Sequence, residues 1–379
     1  MPGKKIYCLL IWLLLLHLQC RKAYTPAVFT SSDNYLVVDG FVNTSAGGIT
    51  TLVLSRTKKI TDTTVASLPE PGARVLIQTA AGTSYQLQDT AGSGVYTSSP
   101  LLLSNAGSYR VLITTAAGRQ YQSAYVQARP APAIDSVHWV EDDGIRFFVN
   151  THDPQNATRF YRWQYELTWE YHAQFNSPWA EANGMIYVKN PTDATFFCYR
   201  TLLSTDILLG NSSALAQDVI SSKLLYKMQQ NDSVLNYRIS MLVKQYALSP
   251  EAYFYWQIIQ KNSQQLGTLF DLQPSQLEGN IHSVSDPAEP VIGFLSAGTE
   301  ATKRIDIRFD DLTTWVRQTP GYSCEVKGIP ENPASFLIYS YPDPEYGPYY
   351  FSGGTLFIAK KTCLDCRLSG GTTVKPAFW

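Results

Sequence analysis

Thirteen consecutive residues, Phe160 to His172, alternate without interruption. Tyr161, Trp163, Tyr165, Leu167, Trp169 and Tyr171 fall on one side, and Arg162, Gln164, Glu166, Thr168, Glu170 and His172 on the other. A strand sends successive side chains to opposite faces, whereas a helix repeats every ~3.6 residues, so the pattern predicts one long strand. Each aromatic ring on the first face buries roughly 150 to 250 Å². That face is expected to be the interior of a sandwich; the competing reading is an exposed ladder for stacking sugars or a protein partner. The other face carries charge of both signs and is expected to face water.

The rest of the chain agrees with a mostly β fold. Between Tyr35 and Val126, short alternating runs (Tyr35 to Val42, Thr50 to Ser55, Ala73 to Gln78, Ser84 to Gln88, Ser108 to Thr114, Gln120 to Val126) are separated by glycine turns. Short strands with closely spaced turns and no helical period predict an antiparallel sandwich over residues 34–129. The order Pro71-Gly72-Ala73-x-Val75-x-Ile77, Gly94-x-Tyr96, Tyr109-x-Val111-x-Ile113 resembles the immunoglobulin-like carboxypeptidase-regulatory and transthyretin-like modules of exported proteins. Such a resemblance implies a spacer or presenter.

Ala128-Arg129-Pro130-Ala131-Pro132-Ala133 marks a boundary, because two prolines stiffen the connector and cannot sit in a central strand. A larger β-rich domain with one or two helices is expected over 134–379. Its strands include Ile134 to Val140 and Ile145 to Val149 around an Asp143-Gly144 turn, Tyr237 to Tyr246, Val291 to Leu295, Arg304 to Phe309, Ser335 to Tyr339 and Thr355 to Ala359. A helix is expected near 250–264. Ser249 is its N-cap, Pro250 its first residue, Glu251 complements the dipole, and Ala252, Tyr253, Trp256 and Ile259 or Gln260 line one side until Gly267. Residues 213–230 are open between helix and strand.

The N-terminus reads as an address. Lys4 and Lys5 precede the apolar run Ile6 to Leu16, and Cys20 follows. Eleven helical residues span roughly half of a ~30 Å hydrocarbon core, so residues 1–19 are expected to be a cleaved lipoprotein signal peptide. Cys20 would then carry the lipid, with 20–33 as a tether. Gln19 stands where a small residue usually precedes the cysteine; ordinary secretion or a retained anchor are the competing readings. Removal of 1–19 takes away two lysines and no acid, which leaves 28 basic against 31 acidic side chains. Nucleic-acid binding and polybasic membrane attraction lose their electrostatic support.

Four cysteines follow Cys20: Cys198, Cys324, Cys363 and Cys366. Export predicts disulfides, and four thiols allow three full pairings. Bridging Cys324 to the Cys363/Cys366 pair would close a loop worth roughly 3 to 4.5 kcal/mol in the chain-entropy model. A redox pair or half a zinc site are the alternatives, but loop-forming residues follow the pair and no second ligand pair exists. No metal, cofactor or catalytic residue is assigned. Glu141-Asp142-Asp143 lacks a full calcium ligand set. No H-E-x-x-H or G-x-S-x-G occurs. Glu166 and Glu170 stand about 13 Å apart along one strand, beyond a glycosidase pair. Gly279, Asn280, Pro287 and Pro290 form a candidate binding loop, with a buried crossover as the alternative.

Gln273-Pro274-x-x-x-x-x-Gly279-Asn280, Val291-Ile292-Gly293-Phe294 and the ending Cys363-x-Asp365-Cys366-Arg367-x-x-Gly370-Gly371-Thr372 to Pro376-x-Phe378-Trp379 resemble an exported lipoprotein family of Bacteroidetes, domain of unknown function 4249. The resemblance extends over nearly the whole mature chain. It implies lipid anchoring in the outer membrane, facing either the periplasm or the cell surface, and partnership with a TonB-dependent receptor. It transfers no catalytic residue. A non-catalytic binding or accessory subunit is therefore expected, and an envelope enzyme acting on glycans or peptides is the alternative.

Overall fold

Alternating apolar residues fix the first two sheets. Leu36, Val38 and Val42 of the strand Leu36–Asn43, together with Leu52 and Leu54 of Thr51–Arg56, point into one core; Val75, Ile77, Val111 and Ile113 meet them from Arg74–Thr79 and Ser108–Thr114. The structure is a computed structural model, and it describes residues 34–58, 68–182, 185–264, 279–318, 324–330 and 344–379. Cys20, Gly267, Gln273, Pro274 and the strand expected at 335–339 lie outside the described residues. Tyr35–Trp379 forms one compact unit.

Residues 34–129 supply most of these two antiparallel sheets, and both are extended by a distant segment. Ile281–Ser283 pairs with Gln120–Ser123, while Ile292–Gly293 and Ser296–Gly298 run parallel to Leu36–Asn43. Ile281, Val291, Leu295 and Ala297 join the same core. Strand edges expose unpaired N–H and C=O groups, and the returning segment satisfies two of them.

The long strand Phe160–His172 has the expected bounds and the expected buried face: Tyr161, Trp163, Tyr165 and Leu167 are all buried. It is central in a five-stranded sheet, antiparallel to Arg238–Ala247 on one side and to Phe197–Leu203 and Leu208–Asn211 on the other. Ala301–Arg308 pairs outside Arg238–Ala247. A three-stranded sheet covers the aromatic face. Its strands Ile134–Asp142, Gly144–His152 and Val219–Met228 send Ile145, Phe147, Val149, Leu225 and Met228 into the shared core. The Gly144 turn adopts φ 98°, a conformation glycine tolerates and side chains resist. Residues 219–228, open on sequence, form a strand with two bulges.

The helix Pro250–Gln264 begins as expected, with the Ala252 N–H donating to Ser249 Oγ at 3.2 Å. Ala252, Tyr253, Trp256 and Ile259 pack with Leu248, Ile207 and Leu209. A smaller sheet of Val326–Pro330, Tyr346–Ser352 and Thr355–Lys360 leads into the short helix Lys361–Leu364. Two disulfides staple this end: Cys198–Cys366 with Cα atoms 5.8 Å apart, and Cys324–Cys363 at 5.9 Å, both ordinary spacings. The C-x-x-C pair is split between two bridges, which replaces the redox and zinc readings with a structural one. No described helix is long and apolar enough to cross a membrane.

Candidate functional site

The polar face of the long strand does not simply face water. Arg162, Gln164 and Glu166, with their register neighbours Tyr246 and Lys244, form one wall of a cleft of about 760 Å³. The outer face of the first sheet forms the other wall, through Asp39, Phe41, Thr51 and Val53. These side chains alternate with the buried Val38, Val42, Leu52 and Leu54, so the periodicity that builds the first core also points them into the cleft. Phe41 and Tyr246 close one edge with ring centroids 4.8 Å apart, edge to face. Trp256 of the helix, Phe294, Ser296 and Glu300 also line it.

Most polar groups here are already partnered. Lys244 Nζ lies 2.5 Å from Glu166 Oε1. Tyr246 donates its hydroxyl to Glu300 Oε2 at 2.7 Å. Burial, then the Glu300 charge, raises the Tyr246 pKa far above its ordinary value, so this phenol is a neutral donor at any physiological pH. Arg162 differs, in that no ion pair engages it among the described residues. Its guanidinium lies over the Trp256 ring at 3.7 Å from the centroid, and its Nε, closed off from solvent, has no hydrogen-bond partner among the described residues. Burial lowers its pKa, while Asp39 and Tyr246 oppose that through their fields. A guanidinium still remains charged in a protein. The cleft therefore holds a cation with stacking support and no ion pair among the described residues, an arrangement suited to an anionic group.

The far end of the same strand face is covered by the C-terminus. Trp379 donates its indole N–H to Glu170 Oε2 at 2.9 Å, while Arg238 and Arg304 lie 4.6 Å and 3.5 Å from the ring centroids of Trp379 and Phe378. The expectation of a water-facing surface gives way to a face divided between cleft and tail. Periodicity assigns a residue to a face, and it carries no information about which distant segment lies over that face.

The candidate loop residues sit elsewhere and bind the chain to itself. Asn280 accepts from the Leu295 N–H at 2.7 Å and donates to the Leu295 carbonyl at 2.9 Å. A Cβ on Gly279 would lie 1.8 Å from the Gly293 carbonyl oxygen, so this backbone approach admits only glycine. Between Pro287 and Pro290, Glu289 accepts from Tyr121 at 2.7 Å and from Arg119 at 3.2 Å. These contacts are those of a crossover held by its own bonds. Asn280 borders a separate recess of about 360 Å³ beside Tyr125 and Glu251. Gly279, Asn280, Pro287 and Pro290 do not line the larger cleft.

The three acids of the 141–143 turn diverge. Glu141 accepts from Thr313 and Thr314, Asp142 pairs with Arg146 at 2.5 Å, and Asp143 pairs with Lys227 at 3.0 Å. Among the described residues no group of three His, Cys, Asp or Glu side chains could hold a metal ion. His152 is paired with Asp135 at 2.8 Å and His172 with Glu170 at 2.7 Å, and no histidine lines the cleft. Carboxylates from separate segments do line it together: Asp39 and Glu166 from two strands, and Glu300 from the connection before Ala301–Arg308. Sequence reasoning missed Arg162 and Trp256 as partners because one lies on a strand and the other on a helix 94 positions later.

No curated protein matches this chain. The family described as Domain of unknown function (DUF4249) matches residues 21–304, so the ending Cys363 to Trp379 lies beyond the matched span. With well over half of its length covered, the chain belongs to the DUF4249 family.

Proposed function

We propose that this protein is a non-catalytic binding or accessory subunit of the bacterial cell envelope, anchored in the outer membrane by lipid on Cys20 and working with a TonB-dependent receptor. The first two sheets would serve as an immunoglobulin-like module that holds the rest of the chain off the membrane. The signal-like residues 1–19 and the resemblance to a Bacteroidetes lipoprotein family support the location. One observation carries the binding role. In the cleft, Glu166 and Glu300 are engaged by Lys244 and Tyr246, while the Arg162 guanidinium, stacked on Trp256, has no ion-pair partner among the described residues. A cation held ready on an aromatic ring, with two of the three carboxylates of the cleft already engaged and no histidine in its lining, suits capture of a ligand.

The convergence of Asp39, Glu166 and Glu300 favours a second reading, an envelope enzyme acting on glycans. Affinity purification from detergent-solubilised envelope separates the two. Stoichiometric recovery of a barrel receptor, with acylated Cys20 in the intact mass, is the expected result. Recovery of the protein alone, turning over a polysaccharide in a Glu166-dependent manner, would overturn the proposal in favour of the enzyme.

A further inference from the structure

The charges left over in the cleft specify more than an anion. Asp39, Glu166 and Glu300 face Arg162 and Lys244, an excess of one negative charge. A phosphate or other dianion would meet that excess at close range and be penalised by it. With Lys244 taken by Glu166 and Glu300 by Tyr246, two groups remain: the Arg162 cation on one wall and the exposed Asp39 carboxylate on the other. They do not form an ion pair with one another, and Asp39 acts on Arg162 only through its field. Phe41, Trp256 and Phe294 add apolar surface to the same lining.

We infer that the cleft binds a zwitterion of the amino-acid or short-peptide class. Its carboxylate takes the fork of Arg162 edge-on, its ammonium group meets Asp39, and its body lies against the aromatic rings. Guanidinium donors match a planar carboxylate in pairs, and stacking on Trp256 holds the fork in one orientation before the ligand arrives. A volume of about 760 Å³ is within the roughly 300 to 1,000 Å³ of small-ligand sites. The inference rests on the reading of this protein as a binding subunit, and it adds the chemistry of what is bound.

The test uses the protein purified from envelope in detergent and three pools of mixed tripeptides: free at both ends, amidated at the C-terminus, and acetylated at the N-terminus. Binding is followed by saturation-transfer NMR and calorimetry. The free pool is expected to bind, and each capped pool to bind at least tenfold more weakly. Arg162→Gln should abolish discrimination against the amide, Asp39→Asn should abolish discrimination against the acetyl cap, and Arg162→Lys should restore part of the first. Neither Gln nor Asn substitution removes a native side-chain hydrogen bond, and Arg162→Gln gives up only the stack on Trp256, so Asp39→Asn should melt like the wild type and Arg162→Gln only slightly lower; a chiefly structural role for Arg162 would instead lower its melting temperature steeply and weaken binding of all three pools alike. Equal binding of all three pools, binding of none, or discrimination that survives both substitutions would overturn the inference. Receptor recovery from the same extract is scored separately. A recovered receptor with no peptide binding sinks the ligand class alone, and peptide binding without a receptor sinks only the partnership.

Discussion

Trp163 and Gln245 stand directly opposite each other on neighbouring strands, and both are fully buried. The indole N–H donates to Gln245 Oε1 at 2.8 Å, and Gln245 Nε2 donates to the Pro132 carbonyl at 2.8 Å and to Thr151 Oγ1 at 3.0 Å. One amide thus joins the five-stranded sheet, the three-stranded sheet and the proline connector. Gln245→Leu orphans the indole N–H and the Pro132 carbonyl, while Thr151 keeps its bond to the Ala133 carbonyl at 3.2 Å. At about 1 to 3 kcal/mol for each of the two orphans, one on the buried Trp163 and one on the half-buried Pro132, less about 1 kcal/mol from the added apolar surface, the loss should be about 1 to 5 kcal/mol. Trp163→Phe orphans Gln245 Oε1 and leaves a void where the larger ring was, for about 3 to 5 kcal/mol.

The double variant has neither the orphaned indole N–H nor the orphaned amide oxygen. Its destabilisation should fall short of the sum of the singles by about 2 kcal/mol. Equilibrium urea unfolding of the four proteins measures this, provided the slopes agree, so that midpoints alone carry the difference. Additivity to within about 0.5 kcal/mol would refute the reasoning, because it would mean that the two side chains do not depend on each other for satisfaction.

Two further perturbations probe the periphery. Burial alone would raise the Glu141 pKa, yet donors from Thr313 and Thr314 hold it at about 2, below the ordinary 4.5. Its stabilising effect is therefore full above about pH 4.5 and lost as pH falls through about 2; the melting-temperature gap between wild type and Glu141→Gln should hold above pH 5 and close toward pH 2, and a pH-independent gap would contradict this. Deleting Phe378 and Trp379 removes two cation–π contacts and the indole bond to Glu170, so stability should drop by about 1 to 3 kcal/mol with tripeptide binding unchanged; an unaltered melting curve would show that the tail does not grip the sheet.

Local rules carried the element assignments far. Two-residue periodicity located the long strand and its buried rings, and Ser249, Pro250 and Glu251 marked the helix start because capping and dipole effects act within one turn. What stayed hidden was non-local. Nothing near residues 281–298 in sequence says that they pair with Gln120–Ser123 and Leu36–Asn43, since edge pairing is set by backbone groups that every residue carries. Val219–Met228 was ambiguous because its two bulges break the alternation. The cysteine spacing left three pairings open, and only the fold brings Cys198 to Cys366. The cleft was illegible for the same reason: Asp39, Arg162 and Trp256 each have an ordinary local environment and meet only through topology.

That topology also explains why an unpartnered guanidinium is tolerable. Arg162 sits on a central strand bonded on both sides, and Asp39 on a strand held between Thr51–Arg56 and the returning residues 292–298. Neither backbone can shift to let the two charges collapse together without breaking a ladder. The returning segment is itself clamped, because Glu289 reaches Tyr121 and Arg119, and Asn280 locks both backbone groups of Leu295. The sheets hold the two charges apart at a fixed span, and the desolvation cost at Arg162 is borne in the folded state before any ligand enters. A loop-borne pair would relax into contact and lose its affinity for a third party; a pair built on two rigid sheets keeps it.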